Sequence, residues 1–264
     1  MTARLHLLTF FLLAGFLSAR GQDLRTGVPL SDGRFLAAGE CLAWVDAEGN
    51  VLRLKTLDKP LTALAADENH FYALDHDGRE LIELDSEGHA VSHERLPVKG
   101  RLRALSCERN ILWAVTDAGE IVQGNKATGW TVLDFNRQYD GYYPQMDFRA
   151  IAAGGGSIMV AGIRPDGTPA AFTSSRGTVW SERMLDYTEL GQPCTFAVVP
   201  TSLSYDSRQD RFFLLGSGGQ ALALPGCSHC NSLSRYPADT LYARIPSGTG
   251  ALLLGNDGFR KSIQ

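Results

Sequence analysis

The stretch FYALDHDGRELIEL, Phe71 to Leu84, reads as two short apolar runs joined at Asp-His-Asp-Gly. A tight turn between antiparallel strands needs positive φ, which glycine adopts without a steric penalty. Asp-x-Gly or Asp-Gly between apolar runs is therefore a strong hairpin signal. The unit recurs as CLAWVDAEGNVLRL (41–54), ILWAVTDAGEIVQG (111–124), SIMVAGIRPDGTPAAF (157–172), RFFLLGSGGQALAL (211–224) and ALLLGNDGFRKSI (251–263). Its glycines stand at 49, 78, 119, 167, 219 and 258, with spacings between 29 and 52 residues.

Working outward, each hairpin is preceded by a short strand rich in small residues: FLAAGE, LTALAADE, LRALSCE, FRAIAAGG, TSLSYDS and LYARIPSG. Small side chains suit a crowded inner strand. Several hairpins are followed by another strand, as in AVSHERLP, WTVLDF and VWSERML. An antiparallel unit of three to four strands, repeated about every 40 residues, is the pattern of a β-propeller blade. The expected fold is all-β, a propeller of six blades, with five or seven as alternatives because the first copy is short. The last copy lacks a fourth strand, and QDLRTGVPL (22–30) is expected to supply it and close the ring.

The first residues predict an address. Arg4 precedes the apolar run LHLLTFFLLAGFL (5–17), and Ala19-Arg20-Gly21 places small residues where a signal peptidase cuts. Residues 1–21 are read as a signal peptide and 22–264 as the propeller domain, in the periplasm or outside the cell. No membrane span is expected after signal removal, and the expected state is a monomer. The 264 residues carry a formal net charge of −4, and the cut removes Arg4, Arg20 and no acid, leaving −6. No basic stripe is visible, which argues against nucleic acid.

TSSRGTVW, Thr173 to Trp180, resembles the Asp-box of BNR-type β-propellers, with Thr173, Gly177 and Trp180 in register. Ser175 stands in place of the aspartate and Val179 in place of the final threonine, so the box is degenerate. NKATGW (125–130) is a fainter echo. The resemblance is to the superfamily of sialidase-like and photosystem-assembly-factor-like propellers. In it the box is a structural turn, which implies the fold and no catalytic role.

Candidate chemistry is sparse. Among the five cysteines, Cys227-Ser228-His229-Cys230 forms a CxxC in a Pro-Gly loop. One knuckle lacks the second pair of a structural zinc site, and no helix is readable to activate a redox thiol. A local disulfide between Cys227 and Cys230 is expected, with free thiols, redox or metal roles as alternatives. Cys41 and Cys107 read as buried apolar residues and Cys194 as a loop thiol. Arg244-Ile245-Pro246 matches a sialidase motif but opens the last repeat instead of the first. Arg149, Arg164, Arg176 and Arg244 offer an arginine triad only by selection. Asp46, Asp77, Asp117, Asp166 and Asp257 occupy turns expected on one face, where aspartate commonly bonds its own backbone. No catalytic residue, metal site or cofactor is expected.

Two long connections stand out: NRQYDGYYPQMD (136–147) and DYTELGQPCTFAVVP (186–200). Tyrosines with polar neighbours suit recognition of a protein or a glycan. Tyr139, Tyr142, Tyr143 and Tyr187 are the expected contacts, the alternative being that the loop folds over the ring to cap the channel. The expected function is an exported, non-catalytic binding or assembly module with an unknown protein or glycan partner. The alternative is a carbohydrate-active hydrolase or a metal-dependent lactonase working in the channel. Arg103, Arg149 and Arg244 are the main polar residues of the inner strands.

Overall fold

The computed structural model describes residues 23–67, 70–225, 231–248 and 250–263. Six antiparallel sheets form a six-bladed β-propeller. Blade one is β1 (Leu24–Pro29), β2 (Phe35–Gly39), β3 (Cys41–Val45) and β4 (Val51–Thr56). Blade two is β5 (Leu61–Ala66), β6 (Phe71–Asp75), β7 (Leu81–Leu84) and β8 (Ala90–Glu94). Blade three is β9 (Leu102–Glu108), β10 (Ile111–Thr116), β11 (Glu120–Asn125) and β12 (Gly129–Asp134). After a short helix, α1 (Phe135–Gln138), blade four is β13 (Asp147–Gly154), β14 (Ser157–Ile163), β15 (Pro169–Ser174) and β16 (Ser181–Arg183). A separate hairpin, β17 (Asp186–Glu189) and β18 (Gln192–Thr195), precedes blade five. That blade is β19 (Pro200–Asp206), β20 (Arg211–Gly216), β21 (Gln220–Pro225) and β22 (Ser232–Arg235). Blade six is β23 (Leu241–Pro246), β24 (Ala251–Gly255) and β25 (Arg260–Ile263).

The first strand of each blade lies innermost, and these strands are neighbours around the ring. Hydroxyls stitch three of the six blade interfaces at this level. Thr26 Oγ1 accepts from Leu64 N at 2.9 Å, and Ser106 Oγ accepts from Ala153 N at 2.9 Å. The Thr201 hydroxyl donates to the Leu241 carbonyl. Second strands are the most buried, with β2 and β24 buried along their whole length, so the apolar core runs between blade faces. An apolar run bounded by turns is how such a strand reads in a sequence.

One expectation is corrected. QDLRTGVPL does not complete blade six. Its strand β1 pairs with β2 as the inner strand of blade one and closes the ring by lying against β5 and β23. The reason is packing. Leu24 and Val28 are buried, and Gly27 passes so close to blade six that a Cβ there would sit 2.3 Å from Ile245 Cδ1. FLAAG and CLAWV thereby become the second and third strands. The turn at Asp46 joins the third strand to the fourth. In an antiparallel meander such turns lie on the opposite face from those joining second to third strands. Asp46 is accordingly on the other face from Asp77, Asp117, Asp166 and Asp257.

The turn at 175–180 joins β15 to β16 and is tightly built. Ser174 Oγ accepts from Gly177 N at 2.8 Å, and the buried Trp180 donates its indole N–H to Gly177 O at 3.2 Å. Gly177 has φ +73°, and a Cβ there would meet Trp113 Cη2 at 2.4 Å. Both strain and overlap oppose a side chain, so Gly177→Ala is expected to cost about 1–3 kcal/mol. A denaturant titration that leaves the midpoint unchanged would refute this.

Candidate functional site

The six inner strands enclose a cavity of about 280 Å³ along the ring axis. Each blade departs from ladder register at the same place, where one inner-strand residue has no partner on the second strand. These residues are Arg25, Thr62, Arg103, Arg149, Thr201 and Tyr242. A β-bulge re-aims a side chain and sharpens the twist, and here it does so at the start of every inner strand. Five of the six line the cavity, Arg149 being the exception. The result is a polar collar at the channel mouth, on the face where inter-blade connections enter.

The collar arginines are matched by aspartates. Arg103 reaches Asp117 at 2.9 Å, Arg149 reaches Asp147 at 2.9 Å, and Arg25 lies 3.9 Å from Asp23. Burial raises the Tyr242 phenol, so it stays protonated. Deeper in, burial pushes the Cys107 thiol up to about 12, and between blades six and one burial also raises Cys41. Such thiols are poor nucleophiles at neutral pH. The collar offers hydrogen-bond donors and acceptors to a polar ligand. Arg244 lines the same cavity but is not one of the bulge residues of the collar. The residue is 4% exposed, and its guanidinium stacks on Phe213 at 3.7 Å and donates to Asp206 at 2.8 Å, between blades five and six.

The two insertions fill wedges between blades and do not cap the channel. Phe135, from α1, is fully buried in the cluster shared by blades three and four. Tyr139 and Tyr143 lie against it, with ring centroids at 4.7 and 6.0 Å, and the Tyr139 hydroxyl accepts from Trp180 N at 2.8 Å. Tyr142, one residue from Tyr143, is 86% exposed. The segment is thus held by two tyrosines and presents the third.

The hairpin β17–β18 follows the same plan. At its base Leu185 and Phe196 are buried between blades four and five, and Phe196 N donates to Leu185 O at 3.0 Å. Asn231 Nδ2 donates to Met184 O and Asp186 O, at 3.1 and 2.8 Å, and Arg235 pairs with Glu189. Tyr187 packs against the cluster below. At the tip, Leu190 and Gly191 have φ of +51° and +77°, and Leu190 is 99% exposed. A large apolar residue with φ above zero is a conformational outlier. Cys194 sits on β18.

The remaining candidates are dispersed. Arg164 pairs with Glu182, and Arg149, Arg164 and Arg244 bind three different carboxylates. Asp46 accepts from Asn50 N at 2.7 Å and Asp166 from Thr168 N at 2.9 Å, each bonding within its own turn. Among the described residues no group of three or more His, Cys, Asp or Glu side chains converges as a metal site, and no helix is long and apolar enough to cross a membrane. Cys227 and Cys230 lie outside the described residues. Two features escaped sequence reading: the collar and Leu190. The collar had a signal, a polar or tyrosine residue following Leu, Phe or Pro in every inner strand: Leu24-Arg25, Leu61-Thr62, Leu102-Arg103, Phe148-Arg149, Pro200-Thr201 and Leu241-Tyr242.

No family model matches the chain. No curated protein is similar to it in sequence. Solved structures are similar in fold. One, from a crystal structure of a nidogen/laminin complex, has a TM-score of 0.64 at 15% identity, covering 83% of this chain and 84% of that one. A catalytically inactive virginiamycin B lyase from Staphylococcus aureus, with quinupristin, has a TM-score of 0.61 at 9% identity, covering 92% and 84%. YCF48 from Cyanidioschyzon merolae has a TM-score of 0.55 at 9% identity, covering 93% and 96%. These relatives are β-propellers, and at such identities the likeness is one of fold.

Proposed function

We propose that the chain is an exported, non-catalytic binding or assembly module that holds a partner protein against its rim of insertions. Tyr142 and Leu190 are the contacts, and Tyr139, Tyr143 and Tyr187 position them. Export rests on the signal-like residues 1–21. The observation that carries the reading is Leu190. A left-handed leucine costs about 1–2 kcal/mol relative to a relaxed backbone. Its exposed side chain recovers none of that from packing within the chain. The hairpin beneath it is pinned by Asn231 and Arg235, so the tip is pre-organised, which lowers the entropy lost on association. The nidogen/laminin relative shows only that this architecture occurs in a protein complex.

The test separates folding from binding. Leu190→Gly relieves the backbone and removes the anchor. It is expected to raise stability by about 1 kcal/mol while reducing partner capture from the native host at least tenfold. Capture that is undiminished at equal protein concentration would remove the hairpin from the account.

A further inference from the structure

The axial cavity is lined by charge of one sign. Arg25, Arg103 and Arg244 line it, and among the described residues no aspartate or glutamate does. The whole chain has a formal net charge of −4, so this wall runs against the average. The aspartates that pair with these arginines, Asp23, Asp117 and Asp206, are not lining residues, so each pair turns its positive end to the channel. Arg25 and Arg103 stand half-exposed at the mouth. Arg244 is buried, and its charge is incompletely matched. Asp206 accepts from its Nη2, while no described residue accepts from Nε or Nη1. Burial lowers its pKa in spite of that carboxylate, as expected of a cation with too little opposite charge beside it. Hydroxyls supplement the arginines. Thr26 and Ser106 line the cavity and accept from backbone N–H groups, which leaves each hydroxyl proton for an occupant. The Tyr242 phenol, kept protonated by burial, is a further donor.

We propose that the channel binds a small hydroxylated oxyanion, a carboxylate or a phosphate ester about the size of one sugar residue. A guanidinium donates two parallel hydrogen bonds to either group, and a wall with arginines and no carboxylate selects for negative charge. The hydroxyl donors suit the uncharged part of such a ligand. A cavity of about 280 Å³ has the volume of roughly nine waters, too little for a glycan chain or a peptide held within it. Small residues of the inner strands, among them Ala65, Ala104 and Ala153, keep that space clear. Neither Tyr142 nor Leu190 lines the cavity, so this site stands independently of the partner surface at the rim.

The experiment is titration calorimetry of the purified protein with gluconate, glucose 6-phosphate and uncharged glucose. At least one of the two anions is expected to bind at one site per chain, and glucose at least tenfold more weakly. Which anion binds tighter identifies the oxyanion as carboxylate or phosphate. Arg103→Gln and Arg25→Gln are each expected to weaken anion binding at least tenfold, the loss of a charged hydrogen bond. Arg25→Gln keeps the test open if Arg103→Gln loosens the fold, since the Arg25 ion pair is the longer, at 3.9 Å. Lys126→Gln, an equal loss of charge outside the cavity, is expected to leave binding within twofold. Neither anion binding at millimolar concentration, glucose binding as tightly as the anions, or anion binding unchanged in both arginine variants overturns the proposal.

Discussion

Replacing Asp206 by alanine is expected to destabilise the fold by about 3–5 kcal/mol, because it strands a buried arginine. Asp206 is 1% exposed and Arg244 is 4% exposed, and their contact of 2.8 Å joins the inner strands of blades five and six. Arg208 adds a longer contact to Asp206 at 3.5 Å and, being a cation itself, cannot neutralise Arg244 once Asp206 is gone. Removal leaves the Arg244 charge desolvated, with only the Phe213 ring beneath it. Replacing both partners together, Asp206→Leu with Arg244→Met, is expected to be far milder, because an apolar pair removes the desolvation cost along with the attraction. Chemical denaturation of the three variants checks this, and equal losses for single and double variants would contradict it. The pair also sets an acid limit. Burial raises the Asp206 carboxyl, but the hydrogen bond and charge of Arg244 outweigh it, leaving the folded value below the ordinary 3.8. A carboxyl lowered on folding contributes stability that is complete above its unfolded value and lost as pH falls through the folded one. Wild-type stability should therefore fall below about pH 4, and Asp206→Asn should flatten that part of the curve.

The second large effect is at Phe135. Its ring is fully buried and meets Tyr139, Tyr143, Phe148 and Phe172 with centroids between 4.7 and 6.0 Å. Phe135→Ala is expected to cost about 3–5 kcal/mol, as for other large core truncations. The loss should be local as well as global. Phe135 is what Tyr139 and Tyr143 rest on, so the segment presenting Tyr142 should become cleavable by protease before the blades unfold. Cleavage of the variant at the wild-type rate within 136–146 would contradict this placement.

These residues show what sequence patterns transmit. The hairpins at Gly78, Gly119, Gly167, Gly219 and Gly258 were legible because a tight turn leaves a local mark, and these five at blade-like spacing, with the Gly49 turn as a sixth, imply a ring. Blade one was misassigned because QDLRTGVPL was read as the outer strand closing blade six, whereas LRTGVP is the inner strand of blade one. Its pairing is fixed by packing against Ile245, on the far side of the sequence. The tyrosine segment was legible as an insertion. That Tyr139 and Tyr143 turn inward and Tyr142 outward depends on Phe135 and Phe172, which no local pattern connects. Leu190 reads as an ordinary residue before a turn glycine, and its left-handed backbone emerges only in the structure.

The most direct measurement is site-specific photocrosslinking in the native host, with a photoreactive residue placed in turn at Leu190, at Tyr142 and at Ile111. Ile111 is an exposed apolar residue at the start of β10, beside the turn from β9 and away from both insertions. A binding module of the kind proposed yields one discrete crosslinked species from Leu190 and Tyr142, shared by both positions, and none from Ile111. No species from either insertion, or the same smear from all three positions, would contradict it.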